Sequence, residues 1–149
     1  MTAPAIPTGF HSVTPNLAVV GGPEAIDFYR RAFGAEVVRR LDAGDKVMYA
    51  ELRIGDSIVT LNDEMPEFDS GAPDPSGPVP ISLTIYCEDT DALYTRALEA
   101  GATHVRAPKD AFFGDRVGTL RDPFGHKWAI ATHLRDMTSE ELEQAMHKA

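Results

Sequence analysis

The chain has 149 residues, of which 43% are hydrophobic and 25% are charged, a composition typical of one globular domain or two small modules. Its 14 basic and 23 acidic residues give a formal net charge of −9, which disfavours nucleic-acid and anionic-lipid partners. No segment reaches the roughly 20 apolar residues of a membrane span. The single cysteine, Cys87, excludes an intramolecular disulfide, and the N-terminus lacks a secretory-signal pattern, so we expect a cytoplasmic protein.

Two segments of the chain share one pattern of apolar residues and turns. Leu17 and Val19 align with Leu83 and Ile85 at an offset of 66 residues, and both pairs alternate with polar or small residues as in a half-buried strand. Apolar residues at helical i, i+3, i+4 spacing follow each strand, and each helical pattern ends at a glycine. We interpret the two segments as a duplicated strand–helix unit.

Three further strands are predicted after each helix. Runs rich in β-branched and aliphatic residues are separated by short turns that contain Gly, Asp or Pro. The last turn of the second repeat has the sequence DPFG at 122–125. The strands are predicted at 36–41, 46–54 and 57–62 in the first repeat, and at 104–107, 117–121 and 127–133 in the second.

A linker separates the two repeats, and a helix follows them. The segment 65–80 contains five prolines and two glycines, which is typical of an exposed linker. Thr138 and Glu141 form a capping box ahead of Leu142 and Met146, which predicts a C-terminal helix. The predicted boundaries, within one domain overall, are 13–64 for the first βαβββ module, 65–80 for the linker, 81–134 for the second βαβββ module and 138–147 for the helix.

The order of elements and several short strings resemble one known superfamily. The strings are VTPNL at 13–17, AIDFYRRAFG at 25–34, FGDR at 113–116 and DPFGHKW at 122–128. Two βαβββ modules with such strings are similar to the vicinal oxygen chelate superfamily, which includes glyoxalase I, bleomycin-resistance proteins and extradiol dioxygenases, and they resemble its PhnB-like branch. The resemblance implies an α+β fold of two modules whose open curved sheets form half-barrels, with helices outside and a ligand in the interior.

The resemblance also implies where a metal would bind. Metal-dependent members place a His or Glu on the first and last strand of each module, and the matching positions here are Thr14, Thr60, Ser82 and Ala129. A neutral hydroxyl holds a divalent ion poorly and an alanine methyl cannot hold one. We therefore predict a protein without a metal or other cofactor.

Strand alternation predicts which side chains face the implied cavity. Apolar residues such as Leu17, Leu83 and Trp128 are expected beneath the helices, so their neighbours point the other way. Phe113 and Arg116 are expected in a loop at the cavity mouth, where an aromatic ring and a guanidinium suit a flat ligand. The predicted ligand-binding residues, all facing one cavity, are Asn16, Thr60, Ser82, Thr84, Tyr86, Phe113, Arg116 and His133.

Structural alternatives stay open for several of these residues. His133 is either a ligand contact or a strand-end histidine near solvent, and Arg116 either meets the ligand or pairs with Asp115. Glu51, on the third predicted strand, is either a relocated carboxylate ligand or a solvated, ion-paired residue.

Three functions follow from these observations. The first is a homodimeric protein that binds a small organic molecule without a metal. The second is an enzyme of the same fold: a metal-dependent lyase, isomerase or dioxygenase with relocated ligands, or an acid–base catalyst using Tyr86, His133 or Arg116. The third is a protein that acts through its dimer surface, since one fold hosts many activities.

Overall fold

The chain forms two compact units in a computed structural model that describes residues 2–149. Unit 1 comprises the chain up to Pro78 together with the turn Pro123–His126, and unit 2 comprises Val79–Asp122 and Lys127–Ala149. Each unit contains one open four-stranded sheet, which confirms the α+β fold class predicted from the sequence. No helix within residues 2–149 is long and apolar enough to cross a membrane.

Unit 1 contains the first βαβββ module. Its polypeptide continues beyond the last strand into a short 3-10 helix, Pro66–Phe68, and an isolated bridge between Met65 and Ser70, both inside the segment predicted as a linker. The elements are β1 (Asn16–Val19), α1 (Gly22–Phe33), β2 (Glu36–Ala43), β3 (Lys46–Ile54) and β4 (Ser57–Asp63).

Unit 2 contains the second module and the C-terminal helix. Thr138 caps the C-terminal helix as predicted, because its hydroxyl accepts a hydrogen bond from the Glu141 amide at 3.1 Å. The elements are β5 (Ser82–Tyr86), α2 (Thr90–Ala100), β6 (Thr103–Asp110), β7 (Asp115–Arg121), β8 (Lys127–His133) and α3 (Ser139–Lys148).

The two sheets have the same topology. The strand order is β1-β4-β3-β2 in unit 1 and β5-β8-β7-β6 in unit 2. In each sheet the first and last strands of the module pair in parallel, and the other pairs are antiparallel. Leu17 of β1 and Leu83 of β5 occupy equivalent strand positions, as the 66-residue offset predicts. The shared topology supports a duplication.

Helix α1 covers one face of the unit 1 sheet. Phe28, Tyr29 and Ala32 are buried on its inner side, because the i, i+1, i+4 spacing gathers them on one stripe. Phe124, from the turn that belongs to this unit, packs against Phe28 with ring centroids 6.2 Å apart. The helix ends at Gly34, whose φ of 68° is the left-handed conformation expected of a C-terminal glycine.

Strand alternation follows the sequence pattern in both units. Leu17 and Val19 are buried under α1. In β5, Leu83 and Ile85 are half-buried, whereas the alternating Ser82, Thr84 and Tyr86 are exposed. Trp128 is buried in unit 2, as predicted, and its indole nitrogen donates a 2.8 Å hydrogen bond to Asp122.

The start of β7 differs from the prediction. The strand begins at Asp115 instead of residue 117, because Asp115 and Arg116 pair with His133 and Thr132 of β8. Both residues are therefore strand residues and not part of a mouth loop. Because neighbouring strand residues point to opposite faces, Arg116 lies on the face of the sheet opposite to Asp115.

The assignment of faces in β5 can be tested with two tryptophan substitutions. Thr84→Trp places the ring on an exposed face and should stay folded while losing any small-molecule binding that the wild type shows. Leu83→Trp overpacks the helix side and should lower the free energy of unfolding by about 1–3 kcal/mol. Urea denaturation measures the free energy of unfolding of both variants. A larger destabilisation by Thr84→Trp would invert the assignment.

Candidate functional site

The sheet of unit 1 carries a row of polar side chains on the face opposite α1. Glu51 of β3 lies directly across from Thr60 of β4, and Thr60 lies across from Asn16 of β1. Directly opposed residues share one face of a sheet. Tyr49 and Asn62 lie two residues from Glu51 and Thr60 along their strands, so they share this face. We call these five residues the polar face of unit 1.

Hydrogen bonds join the predicted site residues on this polar face. The Thr60 hydroxyl donates to Asn16 Oδ1 at 2.7 Å, and Asn16 Nδ2 donates to Asn62 Oδ1 at 2.8 Å. Asn62 Nδ2 then donates to the Ser70 hydroxyl at 3.0 Å. Thr60 and Asn62 are both buried, so the network fixes its members in one arrangement. Asn16 and Thr60 were predicted as neighbours in a site, and the structure brings them together.

Glu51 adds a negative charge at the end of this row. The Tyr49 hydroxyl donates to Glu51 Oε2 at 2.7 Å, and the nearest cation is the Arg39 guanidinium, with Nε 4.0 Å from Oε1. Glu51 is only 8% exposed. Burial and the hydrogen bond to Glu51 raise the pKa of Tyr49, so its hydroxyl remains a donor to this carboxylate.

Unit 2 contains a second cluster, where the ends of β5 and β8 meet the start of β7. The buried carboxylate of Asp115 accepts a 2.9 Å hydrogen bond from the Tyr86 hydroxyl and lies 2.7 Å from His133 Nδ1. His133 Nε2 lies 2.7 Å from Asp136. We call Tyr86, Asp115, His133 and Asp136 the strand-end cluster.

Hydrogen bonds within the strand-end cluster shift the pKa values of its histidine and its tyrosine. Hydrogen bonds to Asp136 and Asp115 raise the pKa of His133, and the hydrogen bond to Asp115 raises that of Tyr86. A protonated His133 donates from both ring nitrogens, one to each carboxylate. The polar atoms of Tyr86 and His133 are thus engaged within the cluster, and a ligand would meet mainly their ring faces.

Arg116 lies on the helix side of its sheet. Its guanidinium donates to both carboxylate oxygens of Asp91 on α2, at 2.9 and 3.1 Å, and to Asp110 at 3.1 Å. These bonds raise the pKa of Arg116 and lower that of Asp91. Arg116 therefore faces away from Tyr86 and is a strand residue instead of part of the expected mouth loop, and it pairs with Asp91 and Asp110, not with Asp115 as in the structural alternative.

The other predicted site residues of unit 2 are exposed. Ser82 and Thr84 lie on the same face of β5 as Tyr86. Phe113 is 41% exposed and packs edge-on against Phe112, with ring centroids 5.4 Å apart. That these side chains share one cavity with Asn16 and Thr60 stays a prediction.

The residues at the implied metal positions do not fit a divalent cation. Thr14 precedes β1, Thr60 donates its hydroxyl hydrogen to Asn16, and Ser82 is exposed. Ala129 has no donor atom in its side chain. Within residues 2–149 no group of three His, Cys, Asp or Glu side chains is arranged to hold a metal ion.

Sequence reasoning missed the two carboxylates that organise these clusters. Asp115 was assigned to a loop as part of FGDR, and Glu51 was considered as a relocated metal ligand or an ion-paired residue but left out of the predicted site. The opposition of Glu51 and Thr60 follows from the β3–β4 hairpin, whose tight turn at Gly55-Asp56 fixes the pairing Ile54–Ser57. Counting back from that turn would have found it.

Comparisons with known proteins place the chain in a family. The model of the glyoxalase/bleomycin resistance protein/dioxygenase superfamily matches residues 9–130. An uncharacterized protein of Mycobacterium bovis is 39% identical over 139 residues, which cover 91% of each chain. The chain therefore belongs to the glyoxalase/bleomycin resistance protein/dioxygenase superfamily.

Solved structures have the same fold. TioX from a Micromonospora species is 26% identical, with a TM-score of 0.64 over 86% of this chain and 100% of TioX. A glyoxalase-related enzyme from Fulvimarina pelagi superposes with a TM-score of 0.66 over 82% of this chain and 87% of that one. At 21% identity, this second similarity shows the fold alone.

The strand-end cluster predicts a measurable histidine pKa. His133 should titrate above the ordinary value of about 6.5, and Asp136→Asn should lower its pKa by removing the largest contribution. Because the folded-state pKa is raised, the stabilisation is fully present below about pH 6.5 and is lost as the pH rises through the folded-state pKa.

An NMR titration of the histidine ring protons measures this pKa directly. Asp45→Asn, an exposed change in the β2–β3 turn of unit 1, serves as the matched control and should leave the His133 titration unchanged. A His133 pKa at or below about 6.5 in the wild type would contradict the prediction.

Proposed function

We propose that this chain is a cytoplasmic, homodimeric protein of the PhnB-like branch that binds a small organic molecule without a protein-bound metal. The family membership and the two open sheets supply the scaffold on which such ligands are bound. The observation that carries the proposal is that no His or carboxylate stands at the four implied metal positions, one of which, Thr60, belongs instead to a neutral hydrogen-bonded network with Asn16 and Asn62.

The polar face of unit 1 supports ligand binding more than catalysis. Glu51, Thr60 and Asn62 on this face are buried, and hydrogen bonds hold the side chains of the row in place before a ligand arrives. Preorganised polar groups in a largely apolar setting orient a small molecule at low entropic cost. The exposed faces of Phe113 and Tyr86 are additional surfaces on which an aromatic ligand would stack.

Catalysis by acid–base chemistry is the second candidate, and one observation favours it. Asp115 is buried and bonded to both Tyr86 and His133, an arrangement that orients two titratable groups. Both pKa values are raised, however, which favours the protonated forms of His133 and Tyr86 and disfavours either group as a general base. A metal-dependent reaction would require ligands other than those at the four implied positions.

Metal and ligand content test the main proposal together. Protein purified without an affinity tag should contain far less than one equivalent of Zn, Ni, Fe or Mn by elemental analysis. Native mass spectrometry should detect a co-purified small molecule or bind one from an aromatic fragment library. One tightly bound divalent ion per chain, held by protein side chains, would overturn the metal-free part of the proposal.

The homodimer has its own test. All residues of the edge strand β2 are exposed, including Val37, Val38 and Leu41, and unpaired strand edges of this kind favour association. Light scattering after size-exclusion chromatography at micromolar concentration should give twice the chain mass of 16.2 kDa. A single species with the monomer mass would contradict this prediction.

A further inference from the structure

Glu51 on the polar face of unit 1 has unused capacity to accept hydrogen bonds. Its Oε2 receives the Tyr49 hydroxyl at 2.7 Å, while Oε1 has the Arg39 Nε at 4.0 Å, which is beyond hydrogen-bond range. The Arg39 side chain is 68% exposed. A carboxylate offers about four acceptor positions, so the described partners leave several of them open.

Burial makes this incomplete pairing significant. A carboxylate removed from water loses hydration that one tyrosine hydroxyl does not replace, and a cation 4.0 Å away on an exposed side chain is screened by solvent. Buried charges in proteins are normally paired and hydrogen-bonded. The Glu51 side chain retains 11% of its exposure, so a partner from solution can still reach it.

Thr60 contributes a second acceptor on the same face of the sheet. Its side chain lies opposite Glu51 on one face, where directly opposed Cβ atoms are about 5 Å apart. Because the Thr60 hydroxyl hydrogen is donated to Asn16, the lone pairs of the Thr60 oxygen remain for another donor. The row therefore presents two acceptors, one of them charged, to a group that has only donors.

We propose that Glu51 anchors a protonated amine of the ligand, with the Thr60 hydroxyl oxygen as second acceptor. The ligand class is then a small organic cation; an ammonium has three donors and no acceptor, which matches this pair. A carboxylate or phosphate on the ligand would face the Glu51 charge and be rejected. This inference rests on the proposed small-molecule binding and specifies the chemistry of the ligand.

Three matched probes test the charge preference. Benzylamine, benzyl alcohol and benzoate share one ring and differ in the charge of the attached group. In amide NMR titrations of the wild type, benzylamine should bind at least about tenfold more tightly than benzyl alcohol, and the largest shifts should occur at Glu51 and Thr60. Benzoate should bind most weakly of the three.

Two substitutions separate the role of Glu51 from that of the scaffold. Glu51→Gln retains the shape and should abolish the preference for benzylamine, whereas Glu67→Gln, an exposed change in the 3-10 helix of the same unit, should retain it. Arg39→Gln removes the competing cation and should tighten benzylamine binding about two- to fivefold. The amide spectrum of Glu51→Gln shows by its dispersion whether this variant folds. If it does not fold, the Arg39→Gln result decides whether Glu51 anchors the amine.

The possible outcomes distinguish this inference from the proposed function. Equal binding of the three probes, retention of the preference in Glu51→Gln, or unchanged benzylamine binding in Arg39→Gln would overturn the role of Glu51 while leaving small-molecule binding in place. If none of the three probes shifts any resonance of the wild type, the inference fails and the fragment-library experiment above decides the proposed function separately.

Discussion

The carboxylate of Asp63 holds the first module together. Its Oδ1 accepts hydrogen bonds from the amides of Gly21 and Gly22, each at 2.9 Å, and its Oδ2 accepts one from Val47 at 2.7 Å. One buried side chain at the end of β4 thereby fixes the start of α1 and the start of β3. It satisfies amides at a helix N-terminus for which the helix has no side-chain cap of its own. A Cβ at Gly22 would lie 2.5 Å from this carboxylate, so the approach requires glycine.

The polar face of unit 1 depends on this anchoring. Asp63 is the last residue of β4 and pairs with Val19 of β1, so the parallel register between the two strands ends at the same carboxylate. That register places Asn16 opposite Thr60, and their 2.7 Å hydrogen bond requires it. A slip by one residue would turn Thr60 toward α1 and separate the pair.

The second module builds the same topology with different chemistry. At the start of α2 the Asp89 carboxylate accepts from the Ala92 amide at 3.0 Å, and the buried Thr90 hydroxyl contacts the Thr132 hydroxyl at 2.7 Å. Neutral hydroxyls and a local cap thus hold the start of α2, whereas a single buried carboxylate, Asp63, holds the start of α1. Apolar alternation and helical spacing recur in both halves because they specify the layers. The polar anchors differ, which explains why the two repeats share a pattern of elements with little identity.

The sequence predicts the layers well and the polar pairings poorly, for a physical reason. Alternation in β1 and β5 correctly separates buried Leu17 from exposed Thr84, because burial has a period of two in a strand. Arg116 was assigned to a loop because the predicted β7 began at residue 117, two residues after its observed start at Asp115. Pairings such as Arg116 with Asp91 join residues 25 positions apart, which local patterns do not encode.

The two units pair their charged side chains differently. In unit 2 two basic side chains are each shared by two carboxylates: Arg116 by Asp91 and Asp110, and His133 by Asp115 and Asp136. In unit 1 the cation paired with the Glu51 carboxylate is the exposed Arg39 guanidinium, 4.0 Å away. In the metal-dependent proteins that the chain resembles, the cation belongs to the protein and the oxygens to the substrate. This chain has three hydroxyls and an alanine at the four implied positions, with the Glu51 carboxylate directly across from Thr60, so under the proposed binding mode the positive charge would come from the ligand.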